Sequence, residues 1–65
     1  MKFEELSAEA QRIQASISFG GVARTDKKIA KQILMYGNYF YNGKCLMPYA
    51  KHVGCGVYEI IAKPA

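Results

Sequence analysis

Three side chains in the second half of the chain are of the kinds that carry out chemistry in proteins, namely Cys45, His52 and Cys55. A thiolate activated by an imidazole is a nucleophile, and both groups also bind zinc. His52 is the single histidine, and no third group is placed to orient a pair between it and Cys55. Structural zinc usually takes four ligands, at spacings that these residues do not match. We therefore expect no enzymatic activity, no metal site and no cofactor.

The clearest functional signal is the distribution of charge. The chain of 65 residues has a net charge of +4. Its first ten residues hold three glutamates against one lysine, whereas residues 11–65 hold eight basic side chains against Asp26 and Glu59. A basic surface of this kind favours an acidic protein partner or a phosphate backbone. A solubilising excess of charge, with no partner, is the alternative interpretation.

A cluster of basic residues is followed closely by a run of aromatic residues. Like charges within two helical turns repel one another, and a negative partner would relieve that repulsion. Aromatic rings among basic residues suit stacking on unpaired bases, and tyrosine is equally a preferred anchor at protein interfaces. If these residues have no binding role, the rings belong to the core and the lysines are solvated surface residues. The predicted contact residues are Arg24, Lys27, Lys28, Lys31, Tyr36, Tyr39 and Tyr41.

Two helices are predicted to position these residues. In the first, Ser7 is the predicted N-cap, and Gly20-Gly21 ends the segment. Its apolar residues recur at spacings of three and four, which lines them along one face. They are Phe3, Leu6, Ala10, Ile13 and Ile17. This stripe suits either the core of the chain or the seam of a homodimer.

The second helix is predicted to begin with Thr25 as its N-cap and with Asp26 in the first turn, where a carboxylate suits the helix dipole. Two ends are compatible with its pattern. Gly37 ends it in one interpretation, and in the other it continues to Tyr41. Its apolar face then consists of Ile29, Ile33, Tyr36 and Phe40, with Leu34 beside them.

The dipeptide Asn42-Gly43 lies between two apolar runs, which is a strong signal for a β-hairpin with a type I′ turn. In that interpretation residues 38–41 pair with residues 44–47, and their aromatic content supports strands. The apolar residues at helical spacing support a helix that continues through residues 38–41 instead. We favour a helix that ends near Gly37 and is followed by the hairpin. Pro48 then interrupts the strand. Residues 48–56 are predicted to form a loop, and residues 57–63 a final strand that Pro64 ends.

These elements predict a single α+β domain, residues 1–65, with two N-terminal helices packed on a small C-terminal antiparallel sheet of two or three strands. A content of 51% hydrophobic and 22% charged residues is that of a folded protein. No secretion signal is visible, and no stretch approaches the roughly 20 apolar residues that span a bilayer. We expect a soluble, cytoplasmic protein that does not bind membranes. In that reducing compartment both cysteines stay free thiols, with a disulfide between Cys45 and Cys55 as the alternative.

No motif in the chain identifies a reaction. We expect a small non-enzymatic binding protein that docks on a larger protein with an acidic surface and modulates it, for example by inhibition. The alternative is a nucleic-acid-binding module that uses the basic face of the second helix. A homodimer that forms through the stripe of the first helix is a third hypothesis.

Overall fold

The computed structural model describes residues 2–65 as an α+β domain of two α-helices and a four-stranded antiparallel sheet. In chain order the elements are a 3₁₀ turn at Phe3–Glu5, α1 at Ala8–Ser18, β1 at Ala23–Asp26, α2 at Lys27–Tyr36, β2 at Tyr39–Tyr41, β3 at Lys44–Gly54 and β4 at Val57–Pro64. The strands are arranged in the order β1-β4-β3-β2, so β4 and β3 are the inner strands. The predicted α+β class is confirmed. Within residues 2–65, neither helix has the length and apolar character that crossing a bilayer requires.

The sheet contains four strands rather than the predicted two or three. The additional strand is β1, which lies between the two helices, so the helices do not both precede the sheet as predicted. Only Ala23 and Thr25 of β1 have side chains withdrawn from solvent. Two such positions are too few to produce a recognisable alternation in the sequence. The strand is defined by its pairing with residues 57–60 of β4.

The extended conformation of β1 also shifts the start of α2 by one residue. Asp26, and not the predicted Thr25, is the N-cap, and its Oδ1 accepts a hydrogen bond from the Ile29 amide at 2.9 Å. The Thr25 side chain is buried, and its hydroxyl donates to Glu9 Oε2 at 2.9 Å. This hydrogen bond ties β1 to α1.

The prediction of a loop over residues 48–56 is wrong, because β3 continues through Pro48 as far as Gly54. The strand then turns into β4 through Cys55-Gly56, with a bulge between His52 and Gly54 in the β3–β4 pairing.

The sheet accommodates Pro48 because its nitrogen faces no neighbouring strand. The missing N–H therefore costs the sheet no hydrogen bond. The Cys45 carbonyl accepts a hydrogen bond from the Ala65 amide. Because backbone direction alternates along an antiparallel strand, the odd-numbered residues of β3 therefore point their backbone groups at β4. The nitrogen of Pro48 faces the opposite side, where β2 pairs only as far as Leu46. Proline occurs in sheets at such edge positions.

Most of the remaining local predictions are confirmed, although Leu6 of the predicted helical stripe lies before α1 and β4 includes Pro64. Ser7 is the N-cap of α1, and its Oγ accepts from the Ala10 amide at 3.2 Å. The second helix ends at Gly37, and β2 and β3 form the predicted hairpin. The φ angles of Asn42 and Gly43 are 51° and 77°, as a type I′ turn requires. The final predicted strand corresponds to β4.

The core lies between the two helices and one face of the sheet. Ile60 is at its centre, on the inner strand β4, and is 0% exposed. Four of the five residues in the first helical stripe are part of this core, so the predicted dimer seam is used within the chain. Phe3 lies apart in the 3₁₀ turn, edge-to-face with Tyr36 at 6.2 Å between centroids. The buried cluster consists of Leu6, Ala10, Ile13, Ile17, Ile29, Ala30, Ile33 and Ile60.

We expect Ile33→Ala to lower the free energy of unfolding by about 2–5 kcal/mol, because it leaves a cavity in the core. Leu34→Ala is the matched control, since Leu34 is the next residue of α2 and is 46% exposed. Its cost should stay below about 1 kcal/mol. Urea denaturation followed by circular dichroism measures both. If both variants lost the same free energy of unfolding, the orientation of α2 would be contradicted. If Ile33→Ala does not fold, Ile33→Val replaces it, with an expected loss of about 0.5–1.5 kcal/mol.

Candidate functional site

A groove of 420 Å³ lies between α2 and the β3–β4 hairpin, on the side of the sheet that the helices cover. One wall is a face of α2, and Ala50 of β3 and Tyr58 of β4 contribute from the hairpin. We call this feature the α2 groove. It is lined by Lys27, Ala30, Lys31, Leu34, Met35, Ala50 and Tyr58.

The residue spacing along α2 creates the wall of this groove. Ile29 and Ile33 are buried in the core. Leu34 and Met35, together with Lys31 one turn earlier, lie on the adjacent face, because residues three and four apart are neighbours on a helix. Leu34 is 46% exposed and Met35 is 63% exposed. The helix therefore has two apolar faces, of which one is buried and the other borders the groove.

The charged side chains that line the α2 groove are all basic. Lys27 and Lys31 are exposed and lie one helical turn apart, and no acidic side chain within residues 2–65 lines the groove. The nearest carboxylate in sequence, that of Asp26, is hydrogen-bonded to the Ile29 amide as the helix cap. The groove thus combines an apolar interior with a positively charged rim. It suits an apolar ligand that carries negative charge.

The predicted contact residues do not form one surface. Lys27 and Lys31 lie together on the rim of the α2 groove, and the exposed Lys28 follows Lys27 on α2 without lining the groove. Arg24 lies on β1, where its Nε is 3.5 Å from Glu59 Oε2 on β4. Both partners of this ion pair are partly solvated, so its net contribution to stability is small.

The three tyrosines of the predicted contact set line a different cavity of 350 Å³, next to α1. Tyr36 and Tyr39 contact each other edge-to-face, with ring centroids 6.4 Å apart. Tyr41 contacts Phe19 in the same way at 5.4 Å. The structure therefore separates the aromatic residues from Lys27 and Lys31. The amide of Gln14 also borders this cavity and is 4% exposed.

Tyr39 is the most buried of the three tyrosines, at 9% exposure. Its hydroxyl oxygen is 2.7 Å from Ser18 Oγ. Since the Ser18 hydroxyl donates to the Gln14 carbonyl at 2.6 Å, the proton between Tyr39 and Ser18 belongs to the tyrosine. This hydrogen bond fastens β2 to α1, and the ring contact with Tyr36 joins β2 to α2.

The face of the sheet opposite the helices is not covered by any element within residues 2–65, and we call it the outer face. Phe40 on β2 is 78% exposed there. On the neighbouring strands Tyr49 pairs with Ile61, and the Lys63 ammonium lies 5.2 Å from the centroid of the Tyr49 ring. Lys51, Glu59 and Arg24 follow one another across β3, β4 and β1. The outer face is therefore apolar with a row of charges at one end.

The residues with chemical potential are dispersed. Cys45 is partly buried near the start of β3, whereas Cys55 is exposed in the turn at its other end, and both are free thiols. The His52 ring lies against Tyr58, with centroids 5.0 Å apart. Among residues 2–65, no three histidine, cysteine or acidic side chains come together as metal ligands would.

The sequence reasoning missed Met35 and Ala50 as residues of the α2 groove, and it placed Leu34 only beside the core face of the second helix. The sequence contained a signal for Met35, because a second set of residues follows the helical repeat on a face next to the core residues. This set consists of Lys27, Lys31, Leu34 and Met35. No signal for Ala50 was available once residues 48–56 were read as a loop.

Comparison with known proteins finds no matching family model, no similar curated protein and no similar solved structure. The site must therefore be interpreted from its own geometry.

We expect Tyr39→Phe to lower the free energy of unfolding by about 0.5–1.5 kcal/mol, because it removes the hydrogen bond to Ser18 inside a partly buried contact. Tyr41→Phe is the matched control, since within residues 2–65 no hydrogen bond engages its hydroxyl. It should change stability by less than about 0.5 kcal/mol. Chemical denaturation measures the difference between the two variants. If Tyr39→Phe is as stable as the wild type, the hydroxyl does not fasten β2 to α1.

Proposed function

We propose that this chain is a small non-enzymatic binding protein that docks on a larger protein and modulates it by occupying a segment of that partner. The α2 groove is the docking site. The partner segment is apolar where it enters the groove and acidic where it meets Lys27 and Lys31. Such occupancy inhibits the partner when the bound segment belongs to its working surface.

The observation that supports this proposal is the second apolar face of α2. Leu34 and Met35 are exposed on a helix whose other apolar residues are buried. Exposed methionine is common at binding surfaces, because its flexible thioether adapts to different partners. The lysines beside these residues, without a carboxylate in the lining, give the surface an electrostatic preference. An apolar patch with a charged rim is typical of protein–protein contacts.

We expect the double variant Leu34→Glu with Met35→Glu to lose its partner, because it places negative charge in the apolar wall and opposes an acidic segment. The tagged protein is incubated with nuclease-treated lysate of the source cells, and the captured proteins are quantified. One stoichiometric partner is expected for the wild type and a reduction of about tenfold or more for the variant. Phe40→Glu, which adds a negative charge at a still more exposed apolar residue, on the outer face, is the control and should retain the partner. Unchanged capture by the double variant contradicts the proposal.

A second candidate function is the binding of single-stranded nucleic acid. The basic face of α2 suggests it from one side of the sheet, and the outer face favours it from the other. Phe40 and Tyr49 are exposed rings on which bases can stack, and Lys51 and Lys63 are available for phosphates. The chain has an excess of basic residues, and binding to phosphates requires positive charge.

This second candidate predicts that a fluorescent oligothymidylate binds with an affinity that falls steeply as salt rises, because phosphate contacts release counterions. Phe40→Ala with Tyr49→Ala should weaken that binding, at about 1–3 kcal/mol for each stacked base. Fluorescence anisotropy at several salt concentrations measures both effects. An affinity that is independent of salt, or unaffected by the loss of both rings, contradicts this candidate.

A further inference from the structure

The backbone of β3 is paired on one side for most of its length and on the other side for only a few residues. On the β4 side the pairing extends from Leu46 to Gly54. On the opposite side β2 pairs only with residues 44–46. Within residues 2–65, no further strand pairs with β3 beyond that point. Residues 48–52 therefore have no strand partner on this side, and we call this segment the open edge; Pro48 is buried there, Ala50 is half-buried and His52 is exposed.

The direction of the backbone groups along this open edge follows from the ladder. The odd-numbered residues of β3 point at β4, as the hydrogen bond between Ala65 and Cys45 requires. The N–H and C=O groups of Ala50 and His52 consequently point outward. Pro48 is buried and has no N–H, so the donor groups of the open edge begin at Ala50. Unpaired strand edges of this kind are templates for the addition of another strand.

The open edge and the α2 groove meet at Ala50. The backbone groups of Ala50 point to the open edge, and its side chain lies on the helix-facing side of the sheet and lines the groove. A strand added beside β3 would place every second side chain on that same side, next to α2. Because Ala50 is small, it leaves space for a larger side chain of the incoming strand.

The groove has a polarity along this edge. The C-terminal end of α2 leads through Gly37 into β2, which pairs with residues 44–46, so Leu34 and Met35 lie toward the Pro48 end. The N-terminal end of α2 follows Asp26, which pairs with Val57 near the hairpin turn. Lys27 therefore lies at the hairpin-turn end of the sheet, on the β1 side of β4, and Lys31 lies one helical turn closer to Leu34.

We propose that the partner segment binds as an added β-strand along residues 48–52 of β3, with its alternate side chains in the α2 groove. This inference rests on the proposed docking function and specifies its mode. The segment carries apolar side chains on the helix side at the Pro48 end and carboxylates on that side toward His52. A second copy of this chain is a poorer occupant, because edge-to-edge pairing about Ala50 brings Lys27 and Lys31 of both copies to the same side of the joined sheet.

The test uses a synthetic peptide of about nine residues, the length of a long strand. Isoleucines occupy alternate positions in one half and glutamates occupy alternate positions in the other half. Amide hydrogen exchange is followed by NMR on the full chain with and without saturating peptide. The amides of Ala50 and His52 should exchange rapidly in the free protein and at least about tenfold more slowly with peptide. The amides of Tyr49 and Lys51, which already face β4, should change much less.

Methylation of the peptide nitrogens separates strand addition from docking of side chains alone. Methyl groups on one alternate set of amides remove the donors that face β3 and should weaken binding by about tenfold or more. Methyl groups on the other set point away from β3 and should leave the affinity within about threefold. Replacing the glutamates by lysines should also weaken binding, because Lys27 and Lys31 then face like charges. Equal losses from both methylated sets, unchanged exchange at Ala50, or no binding of the parent peptide overturns the inference.

One further variant separates a failure of this inference from a failure of the proposed function. Ala50→Pro removes an outward N–H while leaving the β3–β4 ladder intact, and Pro48 shows that this strand accepts proline at such a position. We expect the variant to fold and to lose the captured partner. If Ala50→Pro retains the partner and Leu34→Glu with Met35→Glu loses it, docking stands and strand addition is overturned. If neither variant loses the partner, both are overturned, and a dimer of this chain in sedimentation would identify a second copy as the occupant.

Discussion

The contact of Ile60 with the two helices holds the layers of this molecule together. Ile60 is on the inner strand β4 and pairs with Ala23 of β1 on one side and Ala50 of β3 on the other. Because both neighbours are alanines, the branched side chains of Ile17 and Ile33 can approach the sheet closely, and all three isoleucines are almost completely buried. Dense packing of this kind leaves little freedom to reposition either helix. The positions of the groove and of the open edge follow from it.

Residues 2–65 build one layer of helices on one side of a small sheet. The outer face, the exposed wall of α2 and the edge of β3 remain in contact with solvent for this reason. Larger proteins would cover such surfaces with additional elements. In this protein the uncovered surfaces differ in chemistry, since the α2 groove is apolar with a basic rim and the outer face combines rings with both charge signs. The two proposed functions follow from that difference.

The core and the candidate site share elements. Helix α2 contributes Ile29 and Ile33 to the core and Leu34 and Met35 to the groove, and Ala50 packs against the core while it lines the groove floor. A ligand in the groove would therefore contact residues directly connected to the most rigid part of the molecule. A preorganised site of this kind binds with less loss of conformational entropy than a flexible loop would.

The sequence by itself determined the elements whose signals are local. The cap at Ser7, the end of the second helix at Gly37 and the type I′ turn at Asn42-Gly43 each depend on one or two side chains and their immediate backbone. The periodic stripe of the first helix predicted an apolar face for the same reason, but it left open whether that face packs in the core or in a dimer. The candidate site was only partly predictable. Lys27 and Lys31 were identified from charge, whereas Tyr36, Tyr39 and Tyr41 were grouped with them although the fold places them next to α1.

Only the tertiary structure decided the remainder. β1 is a strand because β4 lies beside it, and its four residues have too few buried positions to be recognised alone. Residues 48–54 are extended although proline and glycine favour a loop locally, because the outward direction of the Pro48 nitrogen makes its missing N–H harmless and β4 supplies the hydrogen bonds on the other side. The groove exists only once α2 lies over β3. Pairing and packing between segments distant in sequence decide these features, and no local pattern of residues records them.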